Sequence, residues 1–124
     1  MQTRTPAIAS ALFAAFMATA AGAASMDLSR EIDAQGAKPA WSLKVSHGVQ
    51  FNLTRAGKPP LLATAPGAAI AAGGASWSAK TSDGQLMKVS VQAGSCTLGA
   101  RQFPMTARVE LAAETLSGCA GYAP

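Results

Sequence analysis

The residues best suited to catalysis or metal binding in this chain are two cysteines and one histidine. Cys96 and Cys119 are the only cysteines, and His47 is the only histidine, among 124 residues. Such residues could be metal ligands, a redox pair, a nucleophile with its base, or a structural disulfide. A zinc site normally needs four ligands, a thioredoxin-like redox pair forms a C-x-x-C motif, and a cysteine nucleophile uses a histidine base. The sequence shows none of these patterns. How the cysteines are used therefore depends on whether the protein resides in a reducing or an oxidising compartment.

The N-terminus predicts export by a secretory signal peptide. Arg4 is the single charge ahead of an apolar run from Ala7 to Ala24, and small residues close that run. A basic start, a short apolar core and an A-x-A-like end are typical of a cleaved signal peptide. The run is barely long enough to span a bilayer. We therefore expect residues 1–24 to be removed, no membrane span to remain, and the protein to be periplasmic or secreted.

Export predicts how the two cysteines are used. In an oxidising compartment, two cysteines in a small chain usually form a disulfide. We therefore expect Cys96 and Cys119 to be bonded to each other, with a structural role. Closing a loop of this length stabilises a small domain by about 3 kcal/mol in the chain-entropy account.

The remaining polar residues do not predict a catalytic site. Glu110 and Glu114 are expected on an exposed edge and Asp83 on a turn, whereas paired catalytic carboxylates share a cleft. A Ser–His–Asp triad could use only His47, a serine and Asp83, and no G-x-S-x-G elbow occurs. We therefore expect no catalytic, cofactor-binding or metal-binding residues. A hydrolase that uses His47 remains the last of the alternatives.

The charge pattern does not favour nucleic acid as a partner. The chain has ten Lys and Arg residues against six Asp and Glu residues, for a formal net charge of +4. Its cations are spread singly, without the Lys/Arg runs and interleaved aromatic residues of a nucleic-acid surface. We therefore expect no nucleic-acid partner, and the partner stays unknown, with an envelope protein or a glycan as candidates.

Alternating apolar and polar residues predict the strands that position these groups. Residues 41–45 and 49–53 alternate around a three-residue turn, Ser46–Gly48, which ends in glycine. Pairing Val45 with Val49 places six apolar side chains on one face and His47 on the exposed turn tip. Those six residues are Trp41, Leu43, Val45, Val49, Phe51 and Leu53.

The same layout recurs twice further along the chain. A turn at Ser82–Gly84 predicts Trp77 opposite Val89 and Ala79 opposite Met87. Residues 105–111 alternate again and predict a strand that returns over residues 115–120. The register of that return strand stays open, because Leu116 and Cys119 have opposite parity. Between the first two hairpins, residues 61–64 predict a short edge strand and "AAIAAGG" predicts a loop.

These elements predict an all-β fold with six to eight short antiparallel strands. We expect a small meander that forms a sandwich or a partly open barrel, with one disulfide. The single β-domain is expected over residues 38–122, after a flexible lead-in over residues 25–37.

The order of three segments resembles an uncharacterised family of Gram-negative envelope proteins, many of them lipoproteins. The segments are "KPAWSLKV", "WSAKTSDGQLMKVSV" and "CTLGARQFPMTARVELAAETLSGC". Family members read E-P-x-W-x-L, then C-x-D-G-M-S, then Y-P or F-P, then G-C. The likeness covers roughly Lys38 to Cys119. Lys38 replaces the usual Glu, and residues 97–100 replace the acidic D-G-M-S patch, whereas the framework positions match: Pro39, Trp41, Leu43, both cysteines, Phe103, Pro104 and Gly118.

The resemblance implies an envelope protein and no particular activity. We therefore expect a non-enzymatic binding or accessory module without a cofactor. The candidate contact surface is the loop from Thr97 to Gln102 with Arg101 and the neighbouring Phe103, because the disulfide holds its base.

A periplasmic inhibitor of lysozyme is the alternative function. Residues 117–122, "SGCAGY", are similar to the S-G-x-x-Y signature of inhibitors of c-type lysozyme. The tyrosine comes one residue late, and the second signature of those inhibitors, Y-x-x-x-T-K-G, is missing.

Overall fold

A computed structural model describes residues 26–124, which form nine β-strands and no helix. The predicted signal peptide, residues 1–24, lies outside the described residues. The all-β class is confirmed. The strands are β1 (Ile32–Ala37), β2 (Ala40–Ser46), β3 (Gln50–Arg55), β4 (Leu61–Thr64), β5 (Ala69–Ala71), β6 (Gly74–Thr81), β7 (Leu86–Leu98), β8 (Arg101–Leu111) and β9 (Glu114–Tyr122).

Eight of the strands close into an antiparallel barrel. The sheet runs in the order β4-β3-β2-β1-β9-β8-β7-β6-β5, and β4 also pairs with β6. That second pairing joins the two ends of the sheet through Ala63 opposite Thr81 and Thr64 opposite Lys80. The barrel is therefore closed, and β5 is an extra strand that pairs only with β6. The predicted edge strand at residues 61–64 exists, but it pairs on both sides.

The barrel interior is filled by the inward-facing side chains of the eight strands. Trp77 meets Phe51 edge to face, with ring centroids 5.6 Å apart. Its indole N–H donates to the carbonyl oxygen of Gly48 at 2.8 Å, so a strand from one side of the barrel pins the turn between β2 and β3. Burying such aromatic side chains is the main favourable contribution in a domain this small.

The first hairpin has the predicted faces but a different register. Val45 lies opposite Phe51 and Leu43 opposite Leu53, so the pairing is two residues away from the predicted one. Because a shift of two keeps every side chain on its face, five of the six predicted apolar residues are buried. Val49 is the exception, because it lies in the turn and is half-buried.

The turn between β2 and β3 explains the shift in register. His47 has φ of 55° and Gly48 has φ of 70°. Positive φ at both central residues is the pattern of a type I′ hairpin turn. The amide of Val49 donates to the carbonyl of Ser46, and Val49 is then the extra residue before Gln50 pairs with Ser46. His47 is exposed at the turn tip, as predicted.

The second hairpin has the predicted register. Trp77 lies opposite Val89 and Ala79 opposite Met87. The hydroxyl of Thr81 donates to Asp83, and the side-chain amide of Gln85 donates to the same carboxylate. These hydrogen bonds lower the pKa of the Asp83 carboxyl below its usual value. The ionised carboxylate therefore stabilises the turn.

Two predicted irregular segments are wrong in part. Within the predicted flexible lead-in, residues 32–37 form β1, which pairs with both β2 and β9. The residues before β1 are also anchored, since the amide of Asp27 donates to the hydroxyl of Tyr122 and Leu28 packs on the core. Within the predicted loop "AAIAAGG", Ala69–Ala71 form β5. Short Ala-rich and polar segments lack the alternation that identifies strands, so pairing with neighbours decides their structure.

Candidate functional site

The candidate contact surface is the end of a long hairpin rather than a loop. Strands β7 and β8 stay paired to Leu98 and Arg101, and Thr97 lies opposite Gln102. Only Gly99, at φ of 63°, and Ala100 form the turn. The predicted loop from Thr97 to Gln102 is therefore mostly strand. A backbone whose polar groups are paired holds its side chains in fixed positions.

A disulfide links this hairpin end to β9. Cys96 and Cys119 are bonded, with their Cα atoms 5.6 Å apart, as predicted. Strand β8 lies between β7 and β9 in the sheet, and two strand spacings would separate them by roughly 9.5 Å. The register shift between Ala93 and Cys96 is a β-bulge, and bulges bend and twist their strand. We conclude that the bulge folds the hairpin end towards β9, where the disulfide fixes it.

Removing this disulfide is expected to destabilise the domain without abolishing the barrel. Replacing both cysteines by alanine should lower the free energy of unfolding by about 3 kcal/mol, because the unfolded chain loses a cross-link. For a domain of this size that corresponds to a fall in Tm of roughly 12–24 °C. Thermal unfolding followed by circular dichroism, with and without reductant, measures it. An unchanged Tm would show that the hairpin end is held by its other contacts.

Arg101 and Phe103 have different roles at this hairpin end. Arg101 is exposed, and its guanidinium carbon lies 4.8 Å from the centroid of the Phe103 ring. Phe103 itself is 8% exposed. The candidate contact surface therefore presents Arg101, whereas Phe103 lies beneath it and orients it by a cation–π contact. The sequence prediction placed both residues at the surface, and for Phe103 that is wrong.

His47 and the acidic residues considered for catalysis lie on separate elements. His47 occupies the turn between β2 and β3, and Asp83 occupies the turn between β6 and β7. Glu110 is bound by Arg108, with Nε and Oε2 3.5 Å apart. Within residues 26–124, no three His, Cys, Asp or Glu side chains form a group that could hold a metal ion.

Glu114 belongs to an ion cluster that sequence patterns did not predict. Its Oε1 lies 2.5 Å from Nη1 of Arg55 and 3.8 Å from Nζ of Lys58. The Arg55 and Glu114 side chains are only 15% and 29% exposed. The prediction that Glu114 lies on an exposed edge is therefore wrong. The cluster joins the end of β3 to the start of β9, which lie far apart in sequence, and no local signal marks such a pairing.

Comparisons with known proteins found no similar protein. No protein-family model, curated protein or solved structure matches this chain. In the described part of the chain, no helix has both the length and the apolar character needed to cross a membrane.

Proposed function

We propose that this protein is an exported, non-enzymatic binding module of the cell envelope. Its contact surface is the disulfide-linked end of the β7–β8 hairpin. The observation that carries the proposal is the exposed Arg101 guanidinium, which rests on the Phe103 ring next to the Cys96–Cys119 bond. The likeness to envelope proteins and the signal-peptide pattern at residues 1–24 support the location.

A fixed arginine is well suited to recognition. Binding costs free energy when flexible side chains and loops must be ordered. The hairpin end is already paired through Leu98 and Arg101, and the aromatic ring beneath the guanidinium restricts its orientation. Arginine is enriched at the energetically important positions of protein interfaces. The ordering cost at this surface is therefore small.

The chemistry of Arg101 favours an acidic protein surface as its partner. A guanidinium presents a planar array of donors that matches a carboxylate with two parallel hydrogen bonds. Arg101 is near the tip of the hairpin, whereas Arg108, on the same strand, is engaged by Glu110. A partner carboxylate can therefore approach Arg101 at the end of the barrel.

Charge reversal at Arg101 tests this proposal. A photo-crosslinking amino acid at Leu98, which lies opposite Arg101 and on the same face of the hairpin, reports contacts in cells that export the full chain. Arg101→Glu should reduce the amount of its specific adduct in the periplasmic fraction by at least about tenfold, as loss of a charge-assisted contact predicts. Lys80→Glu, a charge reversal at an exposed residue of β6, is the control, and neither variant should change Tm by more than a few degrees. Equal adduct with Arg101→Glu would show that the hairpin end is only structural.

Inhibition of lysozyme is a second candidate function. The small closed barrel favours it, since such inhibitors are small β-barrels whose loop enters the enzyme cleft. However, residues 117–122 lie in β9 and are not a protruding loop, because β9 pairs with both β8 and β1. The element that could enter a cleft is instead the hairpin end with Arg101. A cell-wall lysis assay with a c-type lysozyme separates the two functions, since only an inhibitor slows lysis.

A further inference from the structure

A polar cleft of about 400 Å³ lies on the outer face of strands β1, β2 and β3. Buried residues alternate along these strands, so the polar residues between them point outward. The register of the three strands arranges six outward residues in two rows. One row is Asp33, Lys44 and Asn52, and the other is Gln35, Ser42 and Thr54.

Asp33 brings to this cleft a hydrogen-bond acceptor that the protein leaves unsatisfied. Its Oδ1 atom is buried and has no donor among residues 26–124. Lys44 lies directly opposite on β2, but its Nζ is 4.0 Å from Oε1 of Glu31. An acceptor that loses water without gaining a donor is unfavourable. Because the second side-chain torsion of aspartate is soft, a small rotation presents this oxygen to a donor that enters the cleft.

The side chains around Asp33 offer donors and acceptors in close succession. Lys44 donates only, whereas the amide and hydroxyl side chains of the other outward residues both donate and accept. The nearby charges are the carboxylates of Asp33 and Glu31 and the ammonium of Lys44, so the local field does not favour an anion. The cleft therefore suits a neutral ligand that carries several donors and acceptors.

We propose that this cleft binds a neutral mono- or disaccharide. Each sugar hydroxyl both donates and accepts, so neighbouring hydroxyls can bind a carboxylate and an ammonium or amide group at once. The cleft volume lies within the roughly 300–1,000 Å³ of small-molecule sites. An apolar ligand is disfavoured, because it would take these polar groups out of water without replacing their hydrogen bonds. The site goes beyond the proposed function, since the residues that line it belong to β1, β2 and β3 and not to the β7–β8 hairpin.

Nuclear magnetic resonance on the intact protein tests the site with N,N′-diacetylchitobiose as the probe. The side-chain amide signals of Gln35 and Asn52 should shift saturably as the sugar is added, whereas that of Gln92, on β7, should not move. An absence of saturable shifts at Gln35 and Asn52, or an equal shift at Gln92, would overturn the proposal. Deacetylated chitobiose is the charge control, because it is cationic at neutral pH. Binding of the cationic sugar alone would contradict the neutral-sugar assignment.

Two substitutions separate recognition from folding. Asp33→Asn keeps the shape of the side chain but removes its charge, and it should weaken disaccharide binding at least about tenfold, whereas Glu110→Gln, the same kind of change on β8, should alter binding less than about twofold. Asp33→Asn should not lower Tm, because the buried oxygen has no donor to lose. If Asp33→Asn does not fold, Asn52→Ala, at an exposed position, should weaken binding instead. Unchanged affinity in whichever of these two variants folds would overturn the proposal.

Discussion

Replacing Gly118 by alanine is expected to destabilise the barrel by more than about 3 kcal/mol, because the new methyl group meets backbone. A Cβ at this position would lie 1.9 Å from the carbonyl oxygen and 2.7 Å from the carbonyl carbon of Gln35. These atoms belong to β1, which pairs with β9 immediately beyond Gly118. Backbone cannot rotate aside as a side chain can, so the two strands must separate. Urea unfolding at equilibrium measures the loss.

Gly67→Ala is the matched control for this prediction. No atom lies within 4 Å of a Cβ built at Gly67, and its φ is not in the left-handed region. The free energy of unfolding should therefore change by no more than about 0.5 kcal/mol. A comparable loss in both variants would show that the close approach of β1 to β9 is not the cause. The contrast also explains why glycine occupies this framework position.

Replacing Trp77 by alanine should lower the free energy of unfolding by about 3–5 kcal/mol. The Trp77 side chain is 3% exposed. Its loss leaves a cavity beside Phe51 and removes the hydrogen bond to the carbonyl of Gly48. Because the structure relaxes only in part, the cost exceeds that of transferring the side chain to water. Equilibrium unfolding followed by far-UV circular dichroism measures it.

Trp77→Phe separates the hydrogen bond from the packing. Phenylalanine keeps an aromatic ring near Phe51 but leaves the buried carbonyl of Gly48 without its donor, which costs about 1–3 kcal/mol. Leu62→Ala is the control, since Leu62 is a large apolar residue that is 55% exposed. A loss with Trp77→Phe as large as that with Trp77→Ala would mean that the hydrogen bond, and not the cavity, dominates.

The pattern of apolar residues predicted which face of the sheet each side chain occupies better than it predicted which residues pair across the strands. Alternation fixes which side chains point inward, and it correctly placed Trp41, Phe51 and Trp77 in the core. The register of a hairpin depends on its turn. At Ser82–Gly84 the turn took the expected form, whereas at His47 and Gly48 two residues with positive φ moved the pairing by two positions. Turn geometry at a non-glycine residue is not visible in sequence alone.

Barrel closure was beyond a sequence prediction for a physical reason. The β4–β6 pairing joins Ala63 to Thr81, residues that are separated by an extra strand and a turn. No local pattern reports such a contact, because it forms only once the sheet has curved. Strand β1 was missed for a similar reason, since "IDAQGA" gains its strand conformation from neighbours on both sides.

The disulfide of the candidate site was predicted from the sequence, whereas the exposure of the side chains around it was not. The signal-peptide pattern and a pair of cysteines sufficed to predict the Cys96–Cys119 bond. The burial of Phe103 follows the alternation of Met105, Ala107 and Val109 along β8, but the strand was predicted to begin only at residue 105. The Arg55–Glu114 ion pair depends on the ends of two distant strands meeting, which no local pattern reports.

The β4–β6 closure consists of two residue pairs, whereas β6 and β7 are joined by seven. Separating β4 from β6 should therefore cost less free energy than separating any other two neighbouring strands of the barrel. Rupture there would convert the closed wall into an open sheet whose new edges are the four-residue strand β4 and the end of β6 that β5 does not cover. Such edges pair readily with those of another molecule. At high concentration, self-association of this protein would then proceed by exchange of strands across a reopened wall, with its core largely intact.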